Sequence, residues 1–284
     1  MDWLELVLNA KNDVAAERAA LLMRDCGIKG CWFNEGAVIS YLPEETASWQ
    51  TIDALSVELA ELRAAGIGLG ELRVHGRREL EWADNWKKYF KINKIGRIVI
   101  RPSWEDYTPE PGEAVMDLDP GMAFGTGAHP TTVMCLQMID HYLKAGWTVL
   151  DIGTGSAILS ILSARLGAAS VFACDIDSVA VEAAQQNIIA NSVSGQVSVV
   201  QGGVDKYDGP LVDMILANIT ADVIKLLLPD MKRCLKPDGY LLLSGIIDTL
   251  RQDVLTVADK NGFQVFEERK QGEWIALALR RRET

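Results

Sequence analysis

A chain of 284 residues that is 49% hydrophobic and 24% charged has the make-up of one or two folded domains, which excludes a disordered or low-complexity protein. No stretch approaches the roughly 18 consecutive apolar residues of a transmembrane helix, and Met1-Asp2-Trp3-Leu4-Glu5 lacks the basic start of a signal peptide, so neither is expected. With 28 basic against 39 acidic side chains, the net charge of −11 argues against a nucleic-acid groove spread over the surface and suits a basic partner.

Residues 1–73 read as one small unit. Trp3 to Leu8 is strand-like. Asn12 or Asp13 can cap a helix that Gly27 stops, with Val14, Ala19, Leu22 and Met23 among its apolar positions. Cys31-Trp32-Phe33 and Ala37 to Leu42 flank a turn containing Gly36, which predicts a hairpin. A helix over 46–65 and a strand from Leu69 to Val74 follow. The order β-α-β-β-α-β is that of a ferredoxin-like α+β domain. Residues 74–92 read as a connector, with a short helix from Glu81 to Phe90 whose rings Trp82, Trp86, Tyr89 and Phe90 share about one face. This island is basic: residues 71–101 hold 9 Lys and Arg against 4 Asp and Glu. It serves either as a solvated connector or as a docking patch.

The third segment spans 93–284. Ile92 to Ile100 is strand-like, and Pro102, Pro109, Pro111 and Gly112 mark a loop. From about residue 115 apolar strands alternate with helices. Strands are expected at 148–152, 170–174, 197–200, 211–216 and 240–243, helices at 157–166, 178–190, 221–235 and 248–260, and paired strands at 263–268 and 274–279. Near-continuous apolar strands with helical crossovers imply a buried, mostly parallel α/β sheet, which binds ligands beyond the carboxyl ends of its strands. The five cysteines (26, 31, 135, 174, 234) are scattered, with no Cys-x-x-Cys, so neither disulfides nor zinc are expected and a reducing cytoplasm is the expectation.

Val149-Leu150-Asp151-Ile152-Gly153-Thr154-Gly155-Ser156-Ala157 is a strand entering a glycine turn and then a helix. Gly153 and Gly155 allow positive φ and close approach of backbone to a ligand. The dinucleotide fingerprint needs a third glycine where Ile158 stands, and no Gly-Lys-Ser/Thr of a P-loop follows. What remains is the D-x-G-x-G pattern of S-adenosylmethionine-dependent methyltransferases, or a tight turn without a ligand. The next strand ends in Asp175-Ile176-Asp177. An acceptor-only carboxylate suits the two hydroxyls of a ribose; Asp175 takes that role and Asp177 caps the helix from Ser178. Asn218, in Leu216-Ala217-Asn218-Ile219, stands where DNA and glutamine N-methyltransferases carry Asn-Pro-Pro-Tyr. Here neither prolines nor an aromatic ring follow, which favours a flexible, non-planar amine over a stacked base.

The segment Leu118-Asp119-Pro120-Gly121-Met122-Ala123-Phe124-Gly125-Thr126-Gly127-Ala128-His129-Pro130-Thr131-Thr132 is too long and glycine-rich for packing alone. Here the chain resembles the bacterial ribosomal protein L-eleven methyltransferase family. The resemblance extends to Trp82-Ala83-Asp84-Asn85-Trp86, Trp104-Glu105-Asp106-Tyr107, Asn187, Ser244-Gly245-Ile246 and Glu273-Trp274. It implies a class I, Rossmann-like methyltransferase with a mostly parallel seven-stranded sheet behind a small substrate-recognition domain. It also implies S-adenosyl-L-methionine as cofactor, and lysine side chains and the N-terminal α-amine of one large-subunit ribosomal protein as substrate. The acidic charge and the lack of Pro-Pro-Tyr at Asn218 count against direct nucleic-acid binding. Thr132, Gly153, Asp175 and Asn218 match cofactor positions, with Gly155 in the same turn, and Phe124-Gly125-Thr126 would close over the methionine end. Asn218 is the candidate catalytic residue. Family members usually carry Gly where this chain has Ala157. A small-molecule or nucleic-acid methyltransferase and a non-catalytic adapter remain as alternatives. His129, beside Pro130, reads as a structural residue rather than a catalytic one.

Overall fold

The computed structural model describes residues 2–28, 30–34, 36–43, 49–78, 91–119, 127 and 129–282. Two compact units divide at Phe90: residues 1–90 and residues 91–284.

In the first unit β1 (Asp2–Ala10), α1 (Asp13–Asp25), β2 (Cys31–Asn34), β3 (Ala37–Pro43), α2 (Trp49–Ala64) and β4 (Leu69–Arg78) follow one another. The antiparallel sheet has the order β2-β3-β1-β4, the ferredoxin-like arrangement. Asn12 starts α1 by accepting the Ala15 N–H at 2.9 Å, and Gly27, at φ +80°, follows its end. Ala15, Ala19 and Met23 of α1 meet Leu6, Leu8, Val38, Leu55 and Leu59 in the core. β4 runs four residues beyond the expected Val74, because β1 pairs with it as far as Asp2 opposite Arg78. The expected helix at 81–90 lies outside the described residues.

The second unit opens with a three-stranded sheet, β5 (Asn93–Ile95), β6 (Ile98–Arg101) and β7 (Ala114–Asp117). Gly96, at φ +60°, turns β5 into β6. Next come α3 (Pro130–Tyr142), β8 (Thr148–Ile152), α4 (Ile158–Arg165), β9 (Ser170–Asp175), α5 (Ser178–Ala190), β10 (Val197–Gln201), β11 (Val212–Asn218), α6 (Ala221–Cys234), β12 (Leu235–Ile247), α7 (Arg251–Lys260), β13 (Phe263–Gln271) and β14 (Trp274–Arg281). The seven-stranded sheet has the order β10-β9-β8-β11-β12-β14-β13. β10 through β12 are parallel, and β14 and β13 close one edge antiparallel. The parallel strands are apolar because helices cover both faces: Leu150, Ile152, Ile215, Ala217, Leu241 and Leu243 are buried in one core with Ile224, Leu228 and Met231 of α6.

Two elements differ from expectation. β12 begins at Leu235 rather than 240, pairing Leu235 with Val212 before a register shift. α7 begins at Arg251, after one 3₁₀ turn at Asp248–Leu250. α3 had no sequence signal beyond His129-Pro130 at its start. Cys135 and Cys174 are buried free thiols, both pushed up to about 12 by desolvation, so they stay protonated and inert. Among the described residues no helix is long and apolar enough to cross a membrane, and no group of three or more His, Cys, Asp or Glu could hold a metal.

Candidate active site

Chain order reverses between β8 and β11, and their carboxyl ends open the crevice where doubly wound sheets hold ligands. β8 runs straight into the glycine turn. Gly153 and Gly155 take φ of +72° and +56°, which L side chains resist. The N–H groups of Gly153 and Thr154 both donate to the Cys174 carbonyl, at 2.9 and 3.1 Å, pinning the turn to β9. Ala157, the N-cap of α4, also sits in the left-handed region at φ +64°. A glycine at that position therefore answers a backbone demand, and alanine there costs on the order of 1–2 kcal/mol.

Asp151 lies fully buried under the turn. Its Oδ2 accepts from the hydroxyls of Thr154 at 2.7 Å and Ser160 at 2.6 Å, while Oδ1 has no hydrogen-bond partner among the described residues. Desolvation pushes its pKa up from 3.8 to about 6 despite the two hydroxyl donors. A raised folded-state pKa means that the native chain holds this proton more tightly than the unfolded one. Asp151 thus supports stability below about pH 4, and that support is lost as pH rises through about 6, to the extent of about 3 kcal/mol. Asp151→Asn carries no such dependence. Its stability relative to the native chain should rise by about 2 kcal/mol between pH 4 and 7 in urea titrations, since part of the effect already lies below pH 4; a gap constant with pH would contradict the assignment.

At the end of β9 the two carboxylates part company. Asp175 Oδ2 accepts the Gly155 N–H at 2.9 Å, and Oδ1 accepts the Asp177 N–H at 3.0 Å. Asp177 caps α5 by accepting the Val179 N–H at 2.9 Å, as its place before Ser178 implies. From α5, Asn187 donates to the Ser156 carbonyl at 2.9 Å, holding the far side of the turn. Fully buried Asn191 pairs with both backbone groups of Asp117, at 2.8 and 2.6 Å, and so fixes the strand from which the long glycine-rich segment departs.

Asn218 ends β11, and its Nδ2 donates to the hydroxyl of buried Thr132 in the first turn of α3, at 3.3 Å. Thr132 and Asn218, 86 residues apart, thus meet beside the glycine turn. Ile219 spans the remaining gap: a Cβ on Gly153 would lie 2.4 Å from Ile219 Cγ2. Phe124, Gly125 and Thr126 lie outside the described residues. Gly127 behind them is held by Asn93, whose Nδ2 donates to its carbonyl at 3.2 Å. His129 caps α3, its Nδ1 2.8 Å from the Thr131 hydroxyl and its ring edge-on to Trp274, which accords with a structural role. Sequence reasoning gave no role to Thr154, Ser160, Asn191 or Ser244, whose partners are mostly distant in the chain or are the buried Asp151.

The model of the ribosomal protein L11 methyltransferase family matches residues 2–282. The ribosomal protein L11 methyltransferase of Clostridium perfringens is 45% identical over 99% of this chain and 91% of its own length. That of Streptococcus pyogenes serotype M28 is 44% identical over 86% of this chain and 78% of its own. The crystal structure of a ribosomal protein L11 methylase from Lactobacillus delbrueckii subsp. bulgaricus superposes with a TM-score of 0.64 at 32% identity, covering 68% of this chain and all of that one. With its glycine turn, Asp175 and Asn218 on the carboxyl edge of this sheet, the chain belongs to the ribosomal protein L11 methyltransferase family, whose methyl donor is S-adenosylmethionine.

Proposed function

We propose that this chain methylates lysine side chains and the N-terminal α-amine of ribosomal protein L11. The observation that carries the reading is the convergence of the glycine turn, Asp175 and the Asn218–Thr132 pair at one crevice. S-adenosylmethionine, when bound, supplies a methyl group on a sulfonium. The residues present fit it. Gly153 and Gly155 let backbone approach closely. Asp175, half-buried, has acceptor capacity beyond the two N–H groups it already holds, which suits ribose hydroxyls. Beside it Ile176 leaves an apolar side chain 79% exposed, a surface for a flat base. Thr132 and Phe124-Gly125-Thr126 would complete the grip.

The acceptor amine must be neutral to attack. A free lysine near pKa 10.4 gives up its proton at pH 7 at about 4.6 kcal/mol, an α-amine near 7.8 at about 1 kcal/mol. Desolvation in a closed site lowers the lysine cost. Asn218 Nδ2 is engaged with Thr132, which leaves Oδ1 to accept an N–H of the incoming amine and aim its lone pair. The residues after Asn218 are Ile219 and Thr220, not a ring that could stack a base to be methylated. Residues 1–90 would recognise the ribosomal protein and residues 91–284 carry the chemistry. A ribosomal substrate puts the enzyme in the cytoplasm.

The cofactor grip is tested by two variants. Asp175→Ala should weaken S-adenosylhomocysteine binding roughly 10- to 100-fold in calorimetry, since hydrogen bonds to a charged group contribute about 1.5–3 kcal/mol. Asp177→Ala should chiefly lower the melting temperature, through a cap of about 1 kcal/mol. The reverse ranking contradicts the assignment. Label passing from methyl-labelled S-adenosylmethionine into purified ribosomal protein L11 tests the function itself. A chain that binds S-adenosylhomocysteine yet leaves that protein unlabelled would reject it.

A further inference from the structure

Asn218 is held from outside the crevice by β12. Ser244 stands opposite it in the parallel register of β11 and β12. The Ser244 carbonyl accepts the Ile219 N–H at 3.2 Å, and its hydroxyl donates to the Thr131 carbonyl at 3.2 Å. Thr132, the next residue, takes the Asn218 amide on its own hydroxyl at 3.3 Å. These bonds close a circuit from the end of β11 through β12 and the first turn of α3 back to Asn218. Ser244 is fully buried, so it reaches the crevice only through these partners.

Gly245 completes the seat. Its φ is +82°, and a Cβ there would lie 2.4 Å from the Ile219 carbonyl oxygen, 2.9 Å from its carbon and 3.1 Å from its nitrogen. Among the described glycines with neighbours this close, Gly245 alone meets three backbone atoms of a single residue. Backbone cannot swing aside as a side chain does, so any residue larger than glycine lifts Ile219 and Asn218 with it.

We infer that Ser244 and Gly245 are positioning residues for methyl transfer, fixing the Asn218-Ile219 backbone against Thr132. The inference rests on the reading that Asn218 orients the amine. Misplacement of an orienting group by about 1 Å costs on the order of 10²-fold in rate. Gly245→Ala should therefore lower kcat roughly 10²-fold, and Ser244→Ala, which loses its hydroxyl bonds to the Thr131 carbonyl and to Cys135, about tenfold. The affinity for S-adenosylhomocysteine should fall by less than kcat does in both, because Gly153, Gly155 and Asp175 keep their places and only the Asn218–Thr132 end of the cofactor grip shifts.

The test is steady-state kinetics of the full chain with S-adenosylmethionine and ribosomal protein L11, calorimetry with S-adenosylhomocysteine, and a double-mutant cycle. In an Asn218→Ala background, Ser244→Ala should cost nothing further in kcat, because it acts through the missing side chain. Full kcat in Ser244→Ala, additive losses in the cycle, or a loss that only follows cofactor affinity would overturn the inference. If Gly245→Ala does not fold, Ser244→Ala alone decides. If Asn218→Ala itself keeps full kcat, the orienting role of Asn218 fails first, and that result is distinct from an additive cycle.

Discussion

Gly153→Arg is expected to abolish binding of S-adenosylhomocysteine while the seven-stranded sheet stays folded. Two independent obstacles act at this position. A side chain at φ +72° costs on the order of 1–2 kcal/mol. The new Cβ would also press within 2.4 Å of Ile219 Cγ2, and the remaining atoms of the arginine would fill the mouth of the turn. Against a typical domain stability of about 5–15 kcal/mol, the first cost is tolerable. The occupied volume is not tolerable to a ligand that must lie on the backbone. Gly195→Arg is the control, since a Cβ there meets nothing within 4 Å. Calorimetry should show no heat of binding for Gly153→Arg and unchanged affinity for Gly195→Arg. Native affinity in the first variant would move the cofactor site elsewhere.

Removing residues 1–90 is expected to leave cofactor binding within about threefold of the full chain and to lower the rate on intact ribosomal protein L11 by on the order of a hundredfold. Binding energy from remote parts of a substrate is what a recognition domain contributes to the transition state, and its loss appears in kcat/KM. The cut belongs after Phe90, not at 73. β4 runs to Arg78, and severing it at 73 would split a strand that β1 holds along its whole length. The second unit keeps its own sheet and its own buried core of Ile215, Leu241 and Leu277. Calorimetry and rate measurements on the same preparation separate the two functions. A truncated chain that methylates the intact protein at the full-length rate would show that residues 1–90 are not the recognition element.

The parallel strands were legible because burial on both faces forces unbroken apolar runs. Thr148–Ile152 falls at its expected bounds, and Ser170–Asp175 and Val197–Gln201 within one residue of theirs. α5 was legible from its cap, Asp177, whose side chain has the local job its spacing implies. α3 was not, because seven of its thirteen residues are buried and no polar stripe sets off one face. The start of β12 was hidden by Lys236-Pro237-Asp238-Gly239, which has turn chemistry yet lies in a strand paired with β11. The D-x-G-x-G turn announced itself through glycine spacing, whereas the left-handed conformation of Ala157 beside it showed only in the glycine usual at that place in the family. The supports of the site were illegible for a common reason. Asn191 reaches Asp117 across 74 residues and Ser244 reaches Thr131 across 113, and only the folded sheet brings such pairs together.

The measurement that bears most directly on the account is methyl transfer to a complete mixture of bacterial ribosomal proteins and ribosomal RNA, with labelled S-adenosylmethionine and the full-length chain, read by intact-mass spectrometry. Label is expected in one protein, ribosomal protein L11, gained in whole methyl increments on lysine side chains and on the N-terminal amine, and gained on the order of a hundredfold more slowly when Asn218→Ala replaces the native chain. Label in RNA, in another ribosomal protein, or gained equally fast with Asn218→Ala would contradict the account.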